Sequence, residues 1–502
     1  MITTNRALFL MRYSIRTGSP NAPPLVWLLA ALASALCGEA SAANESPPRP
    51  NILVLLTDNQ PWWAMKCAGN TIIHTPGMDR LAADGLRFTN AFVTTPVCAA
   101  SRASIFTGLY RRRHGYTFLA PPLRREFAER SYPALLRAAG YRTGLIGKFG
   151  IESNGRLRLE NEKATLAKMF DHFDNFEHWG VAGPRGYFVE QADGGTKHLT
   201  DVTADKAIRF LREHAKRGPG RPFCLSVSFN APHAQDDDPR QYFWPHRLDG
   251  LYRKATIPPP QNSAPAFFAA QPKFLQNSLG RERWRWRFDT PEKFQQMMKG
   301  MYRMVTGVDE AIGRIRTGLA DLGLERNTMI IFTSDNGMFF GDRGLSDCWL
   351  LYENSIRVPL IVFDPRMPKA VRGTTRAELA LNIDIAPTIL DAAGRDLPVV
   401  LQGRTLIPLC RGRAEVNWRS DFLCEHLFNH PKIPKSEGVR TQRWKYICYF
   451  EQRPAYEELY DLVRDPHETH NLAADARYSR RLKQLRRRRD ELVNAAAPAP
   501  PP

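Results

Sequence analysis

Cys98 and Arg102 stand four residues apart at the start of an apolar run, Pro96-Val-Cys-Ala-Ala-Ser-Arg-Ala-Ser-Ile-Phe-Thr-Gly-Leu-Tyr110. The run reads as a helix that ends near Gly108. A helix N-terminus presents unpaired N–H groups and a positive partial charge, so it attracts anions. Further along the chain stand Asp58-Asn59 and Asp335-Asn336. Two carboxylates and two amide oxygens make an all-oxygen set, without thiolate or imidazole. Such a set suits calcium or magnesium better than zinc. Lys148 and His233 add two anion-binding groups. Asp-Asn pairs also form ordinary turns, so their position in the fold decides between the two readings.

Each of these groups follows a predicted strand. Asn51 to Thr57 is a continuous apolar run, the mark of a strand buried on both faces of a parallel sheet. Asp58-Asn59 comes next. Tyr141 to Gly147 leads to Lys148, Pro222 to Phe229 leads to His233, and Asn327 to Thr333 leads to Asp335-Asn336. Open α/β sheets bind ligands at the carboxyl ends of their strands. Helices are predicted over Thr75 to Phe88 with Gly85 near the end, Tyr132 to Ala139, Thr203 to Arg217, and Phe294 to Leu322. Val358 to Phe363 is a further strand. Strands alternating with helices imply an α/β fold, with a large, mostly parallel sheet sandwiched by helices.

The composition shifts near residue 410. Trp444 to Phe450 alternates like an antiparallel strand, Tyr456 to Leu462 follows, and a charged helix runs from Arg477 to Ala495. The expected organisation is a catalytic domain over residues 43–410, a smaller C-terminal α+β domain over residues 411–495, and a Pro/Ala tail over residues 496–502. Arg486 to Arg489 is read as a solvated helix face. His426 and His430 are read either as residues lining a cleft or as packed or surface histidines.

The 502 residues, 43% of them hydrophobic and 24% charged, describe a globular chain too long for one simple core. The net charge of +19 points to an acidic partner or substrate. Arg281-Glu-Arg-Trp-Arg-Trp-Arg287 mixes basic and aromatic residues, but no recognised nucleic-acid module contains it. Nucleic acid is not expected as a partner. Arg6, Arg12 and Arg16 precede an apolar stretch from Leu25 to Leu36 and Ala40-Ser41-Ala42. This is the pattern of a signal peptide over residues 1–42, too short for a stable membrane span. An exported, periplasmic or secreted protein is expected. The eight cysteines are scattered, with no C-x-x-C pair, so neither a disulfide framework nor a zinc site is expected.

The stretches Leu56 to Gln60, Thr75 to Phe92, Cys98 to Gly115, Ala139 to Lys148, Ser228 to His233, Thr333 to Gly337 and Glu353 to Pro359 share a further property. In content, order and spacing they resemble the type I sulfatases of the alkaline phosphatase superfamily. Arg440 to Tyr446, Tyr460 to Leu462 and Pro466 to Glu468 resemble that family's C-terminal part. The resemblance implies that Cys98 is oxidised before folding to formylglycine, whose hydrate attacks a sulfate ester. It implies a divalent cation, Ca2+ or alternatively Mg2+, held by Asp58, Asn59, Asp335, Asn336 and residue 98. It also implies that Arg102 and Lys148 offset charge, and that His233 binds sulfate or protonates the leaving alcohol. A formylglycine-generating maturation enzyme is the implied partner.

This sequence departs from the family pattern at five positions. Asn59 stands where a second aspartate is usual, and Ala100 where proline is commoner. Gly150 stands where a histidine often serves as base, and Cys348 where a lysine usually grips the sulfate. Arg343, where relatives often carry histidine, is expected to supply substrate-binding charge instead. The leading expectation is a sulfatase acting on sulfated carbohydrates. The alternatives are a phosphonate or phosphate ester hydrolase of the same superfamily, and a degenerate protein that binds sulfated glycans without turnover.

Overall fold

Apolar runs bounded by turn formers build the central sheet. Its strands are β1 (Asn51–Thr57), β2 (Leu86–Phe88), β3 (Arg142–Gly147), β4 (His172–Asn175), β5 (Phe223–Ser228), β6 (Thr328–Ser334), β7 (Leu360–Phe363) and β8 (Thr374–Arg376). The computed structural model describes residues 49–118, 122–151, 162–176, 186–218, 220–413 and 417–497. The expected signal peptide over residues 1–42 lies outside them, as does the tail from residue 498. The strand order across the sheet is β8-β2-β7-β6-β1-β5-β3-β4. Strand β1 runs parallel to β5 and β6, with Leu55 opposite Val227 on one side and Phe332 on the other. Strand β3 is parallel to β5 and β4, while β7 is antiparallel to both its neighbours. The sheet is therefore mixed and mostly parallel, as the alternation of strands and helices predicts.

Strand β1 shows why its sequence is continuously apolar. Ile52, Val54 and Leu56 enter one apolar core, and Leu53 and Leu55 enter the other. Both faces are covered, and the five residues between Asn51 and Thr57 are all apolar. The covering helices include α1 (Pro76–Asp84), α2 (Cys98–Thr107), α3 (Leu199–Lys216), α4 (Leu279–Arg287) and α5 (Pro291–Asp321). Helix α2 puts Ala99, Ala103, Ile105 and Phe106 into the first core. Helix α5 buries Met298, Tyr302, Val305, Val308, Ile312 and Ile315 in the second. Their spacing of three and four keeps one face apolar. Thr290 caps α5 by accepting from the Lys293 N–H at 3.2 Å.

One expected helix is shorter than its sequence suggests. The helix over Thr75 to Phe88 stops at Asp84, and Leu86–Phe88 becomes β2. Gly85 allows the change, because a Cβ there would meet the Val362 carbonyl oxygen at 2.5 Å. The chain passes too close to β7 for any side chain.

The C-terminal part holds a four-stranded antiparallel sheet: β9 (Asp421–His426), β10 (Ser436–Thr441), β11 (Trp444–Tyr449) and β12 (Tyr456–Asp461), in that order. Helix α6 (Ser479–Ala496) covers it. Alternation in β11 serves both faces. Ile447 and Tyr449 join the first core, whereas Tyr446 and Cys448 pack with Leu482 and Leu485 of α6. The arginine run in α6 is spent on surface pairing: Arg486 on Glu457, Arg488 on Asp421, and Arg489 on Asp490. No helix among the described residues is long and apolar enough to cross a membrane. Seven cysteines lie among the described residues, and all are free thiols.

Candidate active site

Four neighbouring strands end on one edge of the sheet. Thr57 and Ser334 are in register at the ends of β1 and β6, so the two Asp-Asn pairs emerge side by side. Backbone hydrogen bonds fix them. The Asn59 N–H donates to Asp335 Oδ1 at 3.1 Å, and the Gln60 N–H donates to Ser334 Oγ at 2.9 Å. On the other side of β1, the Lys148 N–H donates to the Ser228 carbonyl at 2.9 Å, and the Asp58 N–H to the Ala231 carbonyl at 3.3 Å. Asn59 takes a left-handed φ of 63°, which asparagine tolerates better than most residues.

Helix α2 brings Cys98 to this edge at its first residue and Arg102 one turn later. Arg102 is fully buried. Its Nε donates to Asp335 Oδ2 at 2.8 Å. Its Nη1 donates to the Lys148 carbonyl at 2.7 Å and to Ser228 Oγ at 2.5 Å. Its Nη2 lies 3.7 Å from Asp58 Oδ2, and Lys148 Nζ donates to that same oxygen. Two cations and two carboxylates thus balance in a buried cluster.

The electrostatics follow from burial and from these partners. Burial disfavours the Asp58 anion, yet Lys148, His233 and Arg102 hold its carboxyl well below the usual range. Burial and the neighbouring Asp58 push Asp335 up to about 6, against the pull of Arg102 and Lys148. Cys98 is partly exposed. Burial still pushes its thiol up to about 12, because Asp58 and Asp335 counter Lys148 and Arg102. An unmodified Cys98 is therefore a neutral thiol and a poor nucleophile, since the thiolate is the reactive form. His233 is buried, and that burial lowers its pKa despite Asp58 and Asp236. Its Nδ1 lies 2.6 Å from the Ala234 carbonyl and must carry the proton.

The donor set fits a hard cation. Asp58 Oδ1 and Asn336 Oδ1 are buried without a hydrogen-bond partner, and Asn59 Oδ1 accepts from Asn336 Nδ2. Leaving such oxygens unpaired costs about 1–3 kcal/mol each, which a divalent cation would offset. Among the described residues no three His, Cys, Asp or Glu side chains gather around one point as metal ligands. The fit therefore depends on the two amides.

Arg343 is not brought to this cluster. Its φ of 54° and its backbone bonds to Asn262 and Gln271 turn it toward the C-terminal sheet. There its guanidinium lies 4.5 Å from the Tyr352 ring centre and 5.6 Å from that of Tyr460. The expected substrate-binding Arg343 thus stands against the C-terminal sheet and apart from the Asp58–Asp335 cluster. His426 is fully buried in β9, and burial lowers its pKa to about 3, so it is a packed histidine; His430 is partly exposed.

The structure also adds residues that sequence reading passed over. Arg283 and Arg287 of α4 meet Asp236 and Asp347 in a square of ion pairs. Asp347 and Trp349 both have left-handed φ, 72° and 77°, with buried Cys348 between them. The Trp349 N–H donates to the Pro96 carbonyl at 3.1 Å, which ties this loop to the segment before Cys98. The signal in the sequence is the Arg281–Arg287 segment, where arginines alternate with tryptophans.

Residues 50–395 match the family model described as Sulfatase. The chain belongs to the sulfatase family. Residues 341–495 match the model described as N-sulphoglucosamine sulphohydrolase, C-terminal. A curated relative, the N-acetylglucosamine-6-O-sulfatase of Bacteroides thetaiotaomicron, is 29% identical over 93% of this chain and 89% of its own. A solved structure, described as a complex with its substrate D-glucosamine-2-N,6-O-disulfate, superposes with a TM-score of 0.74. It is 27% identical, over 89% of this chain and 98% of that one. The phosphonate monoester hydrolase of Agrobacterium radiobacter shares the fold, with a TM-score of 0.71 and 24% identity over 89% of this chain and 96% of its own. This sulfatase-family chain is a sulfuric ester hydrolase with an alkaline phosphatase-like fold.

Proposed function

We propose that this sulfatase removes sulfate from sulfated sugars, using formylglycine made from Cys98 and a divalent cation of the calcium class. The reading is carried by one observation. A residue of the signature stretch stands at a helix N-terminus, beside two carboxylates whose charges are balanced by Arg102 and Lys148. The names of the relatives and the basic balance of the chain support a sulfated sugar over a neutral ester.

Formylglycine made from Cys98 would, as its hydrate, supply the attacking hydroxyl that a neutral thiol does not. Asp58, Asn59, Asp335 and Asn336 would hold a divalent cation, which would supply positive charge for the sulfate oxygens. Arg102, gripped by Asp335, Ser228 and the Lys148 carbonyl, fixes the first turn of α2 and so orients residue 98. Lys148 is held by Asp58 and places its charge at the same edge. Neutral His233 has its Nδ1–H committed to the Ala234 carbonyl. To protonate the leaving alcohol, its Nε2 must first take up a proton. An arriving sulfate raises the proton affinity of that imidazole.

In this reading Cys98 is converted before folding is complete, as the family resemblance implies. The N-terminal pattern of basic and apolar residues supports export to the periplasm or beyond.

The test compares release of sulfate from D-glucosamine 6-sulfate with release of phosphate from an aryl phosphate, before and after chelation. The expected result is faster sulfate release that is lost with the cation and restored by Ca2+ or Mg2+. Phosphate release exceeding sulfate release would move the reading to a phosphate ester hydrolase.

A further inference from the structure

The buried cluster at the strand ends carries no net charge, since Arg102 and Lys148 are matched by Asp58 and Asp335. Position 348 adds none. Cys348 is buried beside Asp347, and burial holds its thiol neutral. A sulfate ester entering this pocket therefore needs positive charge from elsewhere in the chain, in addition to any cation.

The guanidinium of Arg283 lies within electrostatic range of Cys348, as does Cys98. Helix α4 projects it onto the Asp347–Trp349 loop, where its Nη1 lies 2.7 Å from Asp347 Oδ2 and 2.9 Å from Asp236 Oδ2. Its planar group lies 5.2 Å from the Trp349 ring centre. Arg287 sits behind it, fully buried, on the same two carboxylates. The two arginines differ in what they leave over. Arg287 spends its Nε on Gln241 Oε1 at 2.6 Å and its Nη1 on Ser346 Oγ at 3.0 Å. Arg283 spends one corner on the carboxylates, and its buried Nε has no partner. The Nε side of a guanidinium is half of the fork that takes an oxyanion through two parallel hydrogen bonds. An unpaired buried donor of this kind is costly unless a ligand completes it.

We infer that Arg283 binds a sulfate oxyanion of the substrate through its Nε edge, supplying beside Cys348 the positive charge that a thiol cannot. The inference rests on the sulfatase reading above. Asp236 and Asp347 hold the guanidinium in place, and the inner Arg287 keeps those carboxylates balanced. The anion is either the sulfate being cleaved or a second sulfate on the same sugar, and both present the same chemistry.

The test is steady-state sulfate release by the wild type, Arg283→Met and Arg283→Lys on two substrates. 4-Nitrophenyl sulfate carries the scissile group alone, and D-glucosamine-2-N,6-O-disulfate carries a second. The expected result is a KM raised about tenfold or more in Arg283→Met, with kcat changed less, and a smaller rise in Arg283→Lys. A rise on both substrates assigns Arg283 to the scissile sulfate, and a rise on the disulfate alone assigns it to the second. A KM within about twofold of wild type on both overturns the inference, whatever happens to kcat. If Arg283→Met has no cooperative thermal transition, Arg283→Lys decides by the same readout. If the wild type releases no sulfate, the proposed reaction fails, and calorimetric titration with inorganic sulfate decides the inference by itself. Binding weakened about tenfold in Arg283→Met supports it; absent or equal binding overturns it.

Discussion

The nitrogens of Arg102 face groups from four strand ends: Asp335 after β6, Asp58 after β1, Ser228 at the end of β5 and the carbonyl of Lys148 after β3. A single side chain thus registers helix α2 against the whole catalytic edge. Its packing also explains Gly150. That glycine has a φ of +75°, and a Cβ on it would lie 2.5 Å from Arg102 Cδ. The histidine common in the family at that position does not fit while Arg102 holds this place. Gly150→His is therefore expected to lower sulfate release about 10²-fold by displacing Arg102, although it restores a family residue. Steady-state kinetics checks this, and an increase in rate would show that Arg102 has room to move. Most of these residues were legible from type and position, because a polar group after a continuous apolar strand has few places to go. Arg343 was misread for a physical reason. Sequence neighbours in a tight turn with positive φ point in opposite directions, and nothing in the residue types says which way.

At the scale of elements, the strands buried on both faces were the most legible, since β1 and β6 are apolar through their middles and β5 is broken there only by Ser226. Helix α5 was legible from its periodic apolar face. Short strands were not. Leu86–Phe88 continues the composition of the helix before it, and only pairing with β7 and β8 makes it a strand. Strands β9 and β10 mix charged and apolar residues without a regular alternation, and their sequence alone does not mark them as strands. The junction at Gly85 is where the helix-to-strand switch is enforced. Gly85→Ala is expected to push helix α1 away from β7 and to destabilise the fold by about 1–3 kcal/mol. Chemical denaturation measures this. An unchanged midpoint would mean that the junction relaxes freely.

At the scale of the whole molecule, the C-terminal sheet shares its apolar core with the catalytic sheet. Phe422, Cys424, Ile447, Tyr449 and Tyr460 belong to the same cluster as Ile52 and Val54. The shift in composition near residue 410 therefore marks a change of architecture within shared packing. A chain ending at residue 410 is expected to expose that core and to aggregate, losing about 1.5–3 kcal/mol for each large apolar side chain uncovered. A soluble, cooperatively melting fragment in gel filtration and calorimetry would contradict this. The central claim is the identity of residue 98, because an unmodified Cys98 is a neutral thiol and a poor nucleophile. The most direct measurement is peptide mass spectrometry of the tryptic fragment Phe88–Arg102, from protein produced in cells with a formylglycine-generating system. The account predicts an aldehyde at position 98. An unmodified thiol there, with a control sulfatase converted in the same cells, would contradict it and leave a neutral cysteine unable to begin the reaction.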